Sequence, residues 1–157
     1  MKAQLVAFKI FRRTITAAIF SKTRLQFLDL QHLSNDPSKA SETLNRFVGW
    51  ILENFRPELA ALSVEEEDDK PRAAMLSGLV SKRLLDHGIP VWKVTDDQLL
   101  EAYATPALTQ KHDLRVIAQA IWPDVASKLP ALDAALVGLY VQTERLLSES
   151  LNLKADV

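Results

Sequence analysis

The apolar residues of this chain change their spacing at Asp36-Pro37, and no other feature narrows its fold so far. Before that point three short runs read as strands. Leu5 to Phe11 is apolar and aromatic, and Thr14 to Phe20 is rich in β-branched residues. Arg24 to Leu30 alternates in part, with Leu25, Phe27 and Asp29 set against Gln26, Leu28 and Leu30. A strand turns successive side chains to opposite faces, whereas one face of a helix recurs every three to four residues. The breaks at Arg12-Arg13 and Ser21-Lys22-Thr23 are short, so the three runs predict an antiparallel meander. Past Pro37 the pattern becomes helical: Leu44, Phe47, Val48, Ile51, Leu52 and Phe55 form one continuous apolar stripe. Asp36 offers a capping carboxylate, Pro37 suits the first helical position, and Pro57 lies just past the end.

The remainder alternates between short strands and helices. Leu59 to Val64 reads as a buried strand that empties into Glu65-Glu66-Glu67-Asp68-Asp69. Pro71 opens a helix carrying Met75, Leu76, Leu79, Val80 and Leu84, which stops at His87-Gly88. Ile89 to Val94 is a further strand, and Thr95 with Gln98 makes a capping box for a short helix to about Tyr103. After the Thr105-Pro106 loop, a helix bearing Leu114, Ile117, Ala118, Ile121 and Trp122 ends at Pro123. The last helix opens at Pro130 and carries Leu132, Ala135, Leu136, Leu139, Tyr140, Leu146 and Leu147, with a frayed tail expected over 149–157. The order βββ-α-β-α-β-α-α-α predicts a single α/β domain over 1–157, its core spanning about 4–148. Its five-stranded mixed sheet should join an antiparallel meander to parallel fourth and fifth strands, with helices on both faces.

Charge and composition remove several function classes. The net charge of −1 gives no global attraction to nucleic acid or membrane. Its distribution is uneven, because residues 1–33 hold six basic side chains against one acid, Asp29. Lys9, Arg12, Arg13, Lys22 and Arg24 are candidate phosphate contacts within that basic N-terminal segment, although a solvated hairpin face would look the same. The chain has no cysteine, which excludes disulfides and thiolate metal sites. No apolar run suits a membrane span and no signal peptide is visible, so the cytoplasm is the expected compartment. The three histidines show no paired ligand spacing, and four glycines in the whole chain make nucleotide loops an unlikely feature.

Several strings resemble the RuvC-type Holliday-junction resolvases of the ribonuclease H-like superfamily. LVAFKIFRRTITAAIF (5–20) is similar to that family's first hairpin, PELAALSVEEE (57–67) to its fourth strand, and RAAMLSGLVSKRLLDHGIPVWKVT (72–95) to the following helix and fifth strand. KHDLRVIAQAIW (111–122) and LPALDAALVGLYV (129–141) resemble its final helical region. The resemblance implies two-metal phosphodiester cleavage, with carboxylates on the first strand, the fourth strand and twice on the last helix. Here those positions fall on Lys9, Ser63, Pro130 and Asp133, and the glycine that follows the first-strand acid falls on Phe11. A two-residue shift would bring Glu65 to the fourth-strand place. Lys111 falls where the family has a lysine. An ammonium at Lys9 repels a divalent cation instead of ligating it, by around 4 kcal/mol per unit charge at about 4 Å and an effective dielectric of 20.

The first functional expectation is therefore a catalytically degenerate RuvC-like domain that binds DNA or RNA through Lys9, Arg12, Arg13, Lys22, Arg24 and Lys111, needs no cofactor, and pairs Lys9 with Asp133 where metals would sit. The second is a protein-interaction or homodimerisation module anchored by Trp50, Trp92 or Trp122. The third is a Mg²⁺- or Mn²⁺-dependent endonuclease with relocated acids: Asp133 with Glu65, supplemented by Glu67 or Asp29. Asp133 also has an ordinary explanation as an acid in the first turn of a helix, and the run 65–69 as a solvated loop.

Overall fold

A computed structural model describes residues 3–11, 13–63 and 71–155. Five strands, β1 (Leu5–Ile10), β2 (Thr14–Ser21), β3 (Arg24–His32), β4 (Leu59–Ser63) and β5 (Val91–Val94), form one sheet in the order β3-β2-β1-β4-β5. The first three are antiparallel, and β4 and β5 continue the sheet parallel to β1. The helices are α1 (Pro37–Phe55), α2 (Pro71–Asp86), α3 (Asp96–Tyr103), α4 (Asp113–Ile121) and α5 (Leu129–Ala155). This is the mixed α/β architecture that the change of period predicts.

The alternation of β1 builds two cores. Val6, Phe8 and Ile10 pack with Leu44, Val48 and Ile51 of α1 and Leu76, Val80 and Leu84 of α2. Leu5 and Ala7 face the other way, against Leu114 and Ile117 of α4 and Leu132, Ala135 and Val141 of α5. Every residue of β1 is buried, as expected for a central strand covered by helices on both faces. Lys9 follows the same parity, so it lies on the α4/α5 side.

Both ends of the last helix differ from the sequence expectation. The backbone stays helical to Ala155, and a 3-10 helix at Pro123–Lys128 leads into α5. Asp133 is the fifth residue of α5 and not part of its first turn, so the macrodipole does not explain it. The acidic run 65–69 lies outside the described residues.

The caps behave as read. Asp36 Oδ1 accepts from the Ser38 N–H at 2.9 Å, and Thr95 and Gln98 make the reciprocal capping box. At the other end of α1, Arg56 closes the helix in the left-handed region at φ 46, ψ 58, with its N–H bonded to Leu52 O. A side chain there pays a steric penalty that glycine avoids. Arg56→Gly is expected to raise the unfolding free energy by about 1 kcal/mol, read as a higher urea midpoint at unchanged slope; a lower midpoint would contradict the cap assignment.

Candidate functional site

Parallel strands β1, β4 and β5 end at the same edge of the sheet, where open α/β folds place their ligands. Lys9 is the penultimate residue of β1 and Ser63 the last of β4. The register pairs Phe8 with Leu62, which sets Lys9 and Ser63 on neighbouring strands one step further on. Both are buried, and the Ser63 hydroxyl has no hydrogen-bond partner. The Thr95 cap turns the chain out of β5 into α3 and delivers Asp96 to this edge. Leu132, Ala134 and Ala135 hold α5 against the sheet, which carries Asp133 to the same place.

The charges there are paired, but not as the sequence suggests. The side chain of Lys9 is 11% exposed, and its Nζ lies 3.4 Å from Asp96 Oδ1 and 5.4 Å from the centre of the Phe11 ring. Asp133 instead takes Arg115 of α4: Nη2 donates to Oδ2 at 2.7 Å and Nε to Oδ1 at 3.5 Å. The expected Lys9–Asp133 pair is thus replaced by two separate pairs. Arg115 reaches Asp133 because α4 packs beside α5, while Asp96 enters from the end of β5 nearer Lys9. The hydrogen bond to Asp133 raises the basicity of Arg115 against the opposing effect of burial. Lys9, Lys111, His112, Leu114, Arg115 and Asp133 line a cleft of about 250 Å³.

The remaining candidates fall into two places. Arg13 is exposed in the β1–β2 turn, at the same edge as Lys9. Lys22 and Arg24 belong to the β2–β3 turn at the far end of the hairpin, where Gln4 accepts from the Lys22 N–H and Gln142 donates to the Lys22 carbonyl. The eight residues of β2 separate the two turns by about 27 Å at roughly 3.4 Å per residue. The basic N-terminal segment is therefore not one surface. Arg12, Glu65 and Glu67 lie outside the described residues. Asp29 is opposite Ala17, whose side chain belongs to the α1/α2 core, so it sits on the other face of the sheet from Asp133. Trp122 packs edge-on to Phe20, and Trp50 is 46% exposed beside Phe27 and Phe55.

Sequence reasoning missed Asp96 and Arg115. Asp96 only lies between the cap residues Thr95 and Gln98, and nothing along the chain marks Arg115, whose partner is 18 residues away on another helix.

No family model matches the chain, and no curated protein matches it by sequence. Solved structures do match. The Thermus thermophilus RuvC structure superposes with a TM-score of 0.69 at 17% identity, covering 90% of this chain and 95% of that one. This is the RuvC form of the ribonuclease H-like fold. The yeast mitochondrial Holliday junction resolvase shares the RuvC-like fold at a TM-score of 0.59 and 10% identity, covering 99% and 85% of the two chains. A Fowlpox virus resolvase solved with Holliday junction DNA gives 0.58 at 15% identity, covering 90% and 98%.

Two-metal chemistry on the RuvC-like fold needs several carboxylate oxygens converging on hard cations. Among the described residues no group of three His, Asp or Glu side chains could hold a metal ion. The β1 position carries an ammonium, the β4 position a neutral hydroxyl, and Asp133 is already engaged by a guanidinium. Among the described residues, Lys9, Ser63 and Asp133 by themselves supply one carboxylate and not the several that a metal pair needs. No helix among the described residues is long and apolar enough to cross a membrane.

Proposed function

We propose that this chain is a RuvC-like domain that binds nucleic acid without cleaving it. The observation that carries this reading is the two ion pairs, Lys9 with Asp96 and Arg115 with Asp133, at the shared edge of β1, β4 and β5, where the resemblance would call for carboxylates free to ligate metal. Lys9, Arg13 and Lys111 stand at that same edge and offer cations to phosphate. Support also comes from the fold, which is shared with resolvases solved on Holliday junction DNA. Lys22 and Arg24 face away from that edge, and Arg12 adjoins it in sequence.

Binding of labelled four-way junction, duplex and single-stranded DNA, followed by anisotropy against salt, tests the reading. Three phosphate contacts predict a log–log slope near −2.7, or about a 40-fold loss of affinity between roughly 50 and 200 mM salt. Binding that ignores salt, or is absent for all three, would sink it. Cleavage in Mg²⁺ or Mn²⁺ that vanishes in Asp133→Asn would instead favour an endonuclease with relocated acids, Glu65 among them. An interaction module remains the second reading because Trp50, Phe27 and Phe55 make a partly exposed aromatic cluster on α1 and the edge strand β3. Light scattering distinguishes it.

A further inference from the structure

A second cleft lies between the edge strand β3 and α1. Asp29 and Gln31 stand in successive rows on the α1 side of β3, and α1 brings Arg46, Phe47 and Trp50 against them. Together they enclose about 310 Å³. We propose that this cleft binds a guanine base with its 5′-phosphate, stacked on Trp50, read by Asp29 and held at the phosphate by Arg46. It is on the other face of the sheet from Asp133, so the inference goes beyond the nucleic-acid reading and does not rest on it.

Affinity and choice come from different groups. Phe27 and Phe55 pack against the indole of Trp50 with ring centres 5.7 and 5.9 Å away, yet it stays 46% exposed where it lines the cleft. Such a platform stacks any base, since every base has a π-face. Asp29 supplies the choice. It is half-buried, its Oδ1 accepts from the Leu30 N–H at 2.9 Å, and no cation among the described residues pairs with it. An ionised carboxylate can only accept. Guanine alone offers it two adjacent donors, N1–H and the N2 amino group. Adenine and cytosine set a ring-nitrogen acceptor beside their amino group, and uracil and thymine flank N3–H with carbonyl oxygens. Gln31 adds an amide donor for guanine O6. Arg46 lines the same cleft without pairing with Asp29; its acid is Glu42 at 3.8 Å, with both side chains 74% exposed. So exposed a pair holds the guanidinium weakly and leaves it to a phosphate. An arginine or lysine side chain from a peptide would suit Trp50 and Asp29 but would meet repulsion from Arg46.

The indole N–H signals of Trp50, Trp92 and Trp122 are followed by NMR as GMP, AMP, CMP or UMP is added, and affinities are measured by calorimetry. GMP should move the Trp50 signal alone and bind about tenfold tighter than the others, the effect of one further hydrogen bond to a charged acceptor. Inosine monophosphate, which keeps N1–H but lacks the amino group, should lose that advantage. Asp29→Asn should abolish the preference for GMP over AMP, and Arg46→Ala should bring GMP down to the affinity of guanosine; unmoved Trp92 and Trp122 signals show that both variants are folded. An oligothymidine strand with one central guanine separates the two sources of this chemistry. A Trp50 shift with that strand, absent in Asp29→Asn, assigns the cleft to an unpaired guanine in a strand; GMP binding without strand binding assigns it to the free nucleotide, and either supports the site. Four nucleotides that bind alike, a GMP preference that survives Asp29→Asn, or a Trp50 signal that moves with free arginine and not with GMP overturns the inference. Lys111→Ala should leave GMP binding unchanged while it weakens junction binding, so the two readings fail separately.

Discussion

Lys9→Asp is expected to melt well below the native protein in the presence of chelator and to regain stability when Mn²⁺ is added. The native side chain sits 3.4 Å from Asp96 Oδ1, with both partners largely shielded from water. The substitution removes that attraction and replaces it with a second carboxylate, so Asp96 faces repulsion in a region of low effective dielectric. Breaking a buried pair costs about 3–5 kcal/mol, which for a domain of this size lowers the melting temperature by roughly 10 °C. A divalent cation would then bridge the new carboxylate and Asp96, and Asp133 would become a third ligand once Arg115 lets go. Lys9→Asp combined with Arg115→Gln should therefore respond to Mn²⁺ more strongly than Lys9→Asp alone. Thermal melts in EDTA and in Mn²⁺, with calorimetric titration of the ion, decide the matter. A native protein that binds Mn²⁺ at the same site, or a Lys9→Asp variant indifferent to chelator, would contradict the proposal that Lys9 stands where the resemblance calls for a metal-ligating acid.

Gly138→Val should be nearly as damaging, for a steric reason. A Cβ on Gly138 would lie 2.5 Å from Phe20 Cε2, 2.8 Å from Phe20 Cδ2 and 3.1 Å from Ala7 Cβ. Phe20 and Ala7 are fully buried, so the ring has no solvent into which to move. To accept valine, α5 must lift from β1 and β2 and loosen the contacts of Ala131, Ala134 and Ala135, the small residues that let it lie close to the sheet. Overpacking of this kind costs about 1–3 kcal/mol for a methylene or two, and separating the helix from its core brings the total to around 4 kcal/mol. Gly138→Ala sets helix propensity, a gain of about 1 kcal/mol, against the same clash; it should be destabilising by a smaller margin. Adding Phe20→Leu to Gly138→Ala should recover part of the loss. Urea unfolding of the three variants tests this, and a Gly138→Ala protein more stable than the native one would show that the contact can relax.

Much of the fold was legible in the residues because its signals are local. The stripe from Leu44 to Phe55 can be satisfied only by a helix with one buried face, and Ala40, Leu44, Val48 and Ile51 are indeed buried. Thr95 and Gln98 announced their cap because both partners lie within one turn. The 3-10 helix before α5 was not foreseen, since Pro123 and Pro130 read as breaks and not as a short turn of another geometry. The candidate site was half legible. Lys9 and Asp133 were found, and both stand at the cleft. Their partners were not, because an ion pair between elements depends on helix placement, and the charge pattern along one helix does not contain that information.

What the chain determined by itself is the succession of strands and helices and the presence of an ammonium on the first strand. These follow from backbone periodicity and side-chain chemistry, which act over a few residues. Only the tertiary structure decided that Lys9 meets Asp96, that Arg115 claims Asp133, and that the basic residues of the first hairpin divide between two ends of the sheet. Those outcomes depend on how β5 delivers α3, how closely α5 can approach over Gly138, and how far β2 carries the chain between its turns. Each is set by the packing of elements distant in sequence, where a shift of a few ångströms exchanges one charge partner for another.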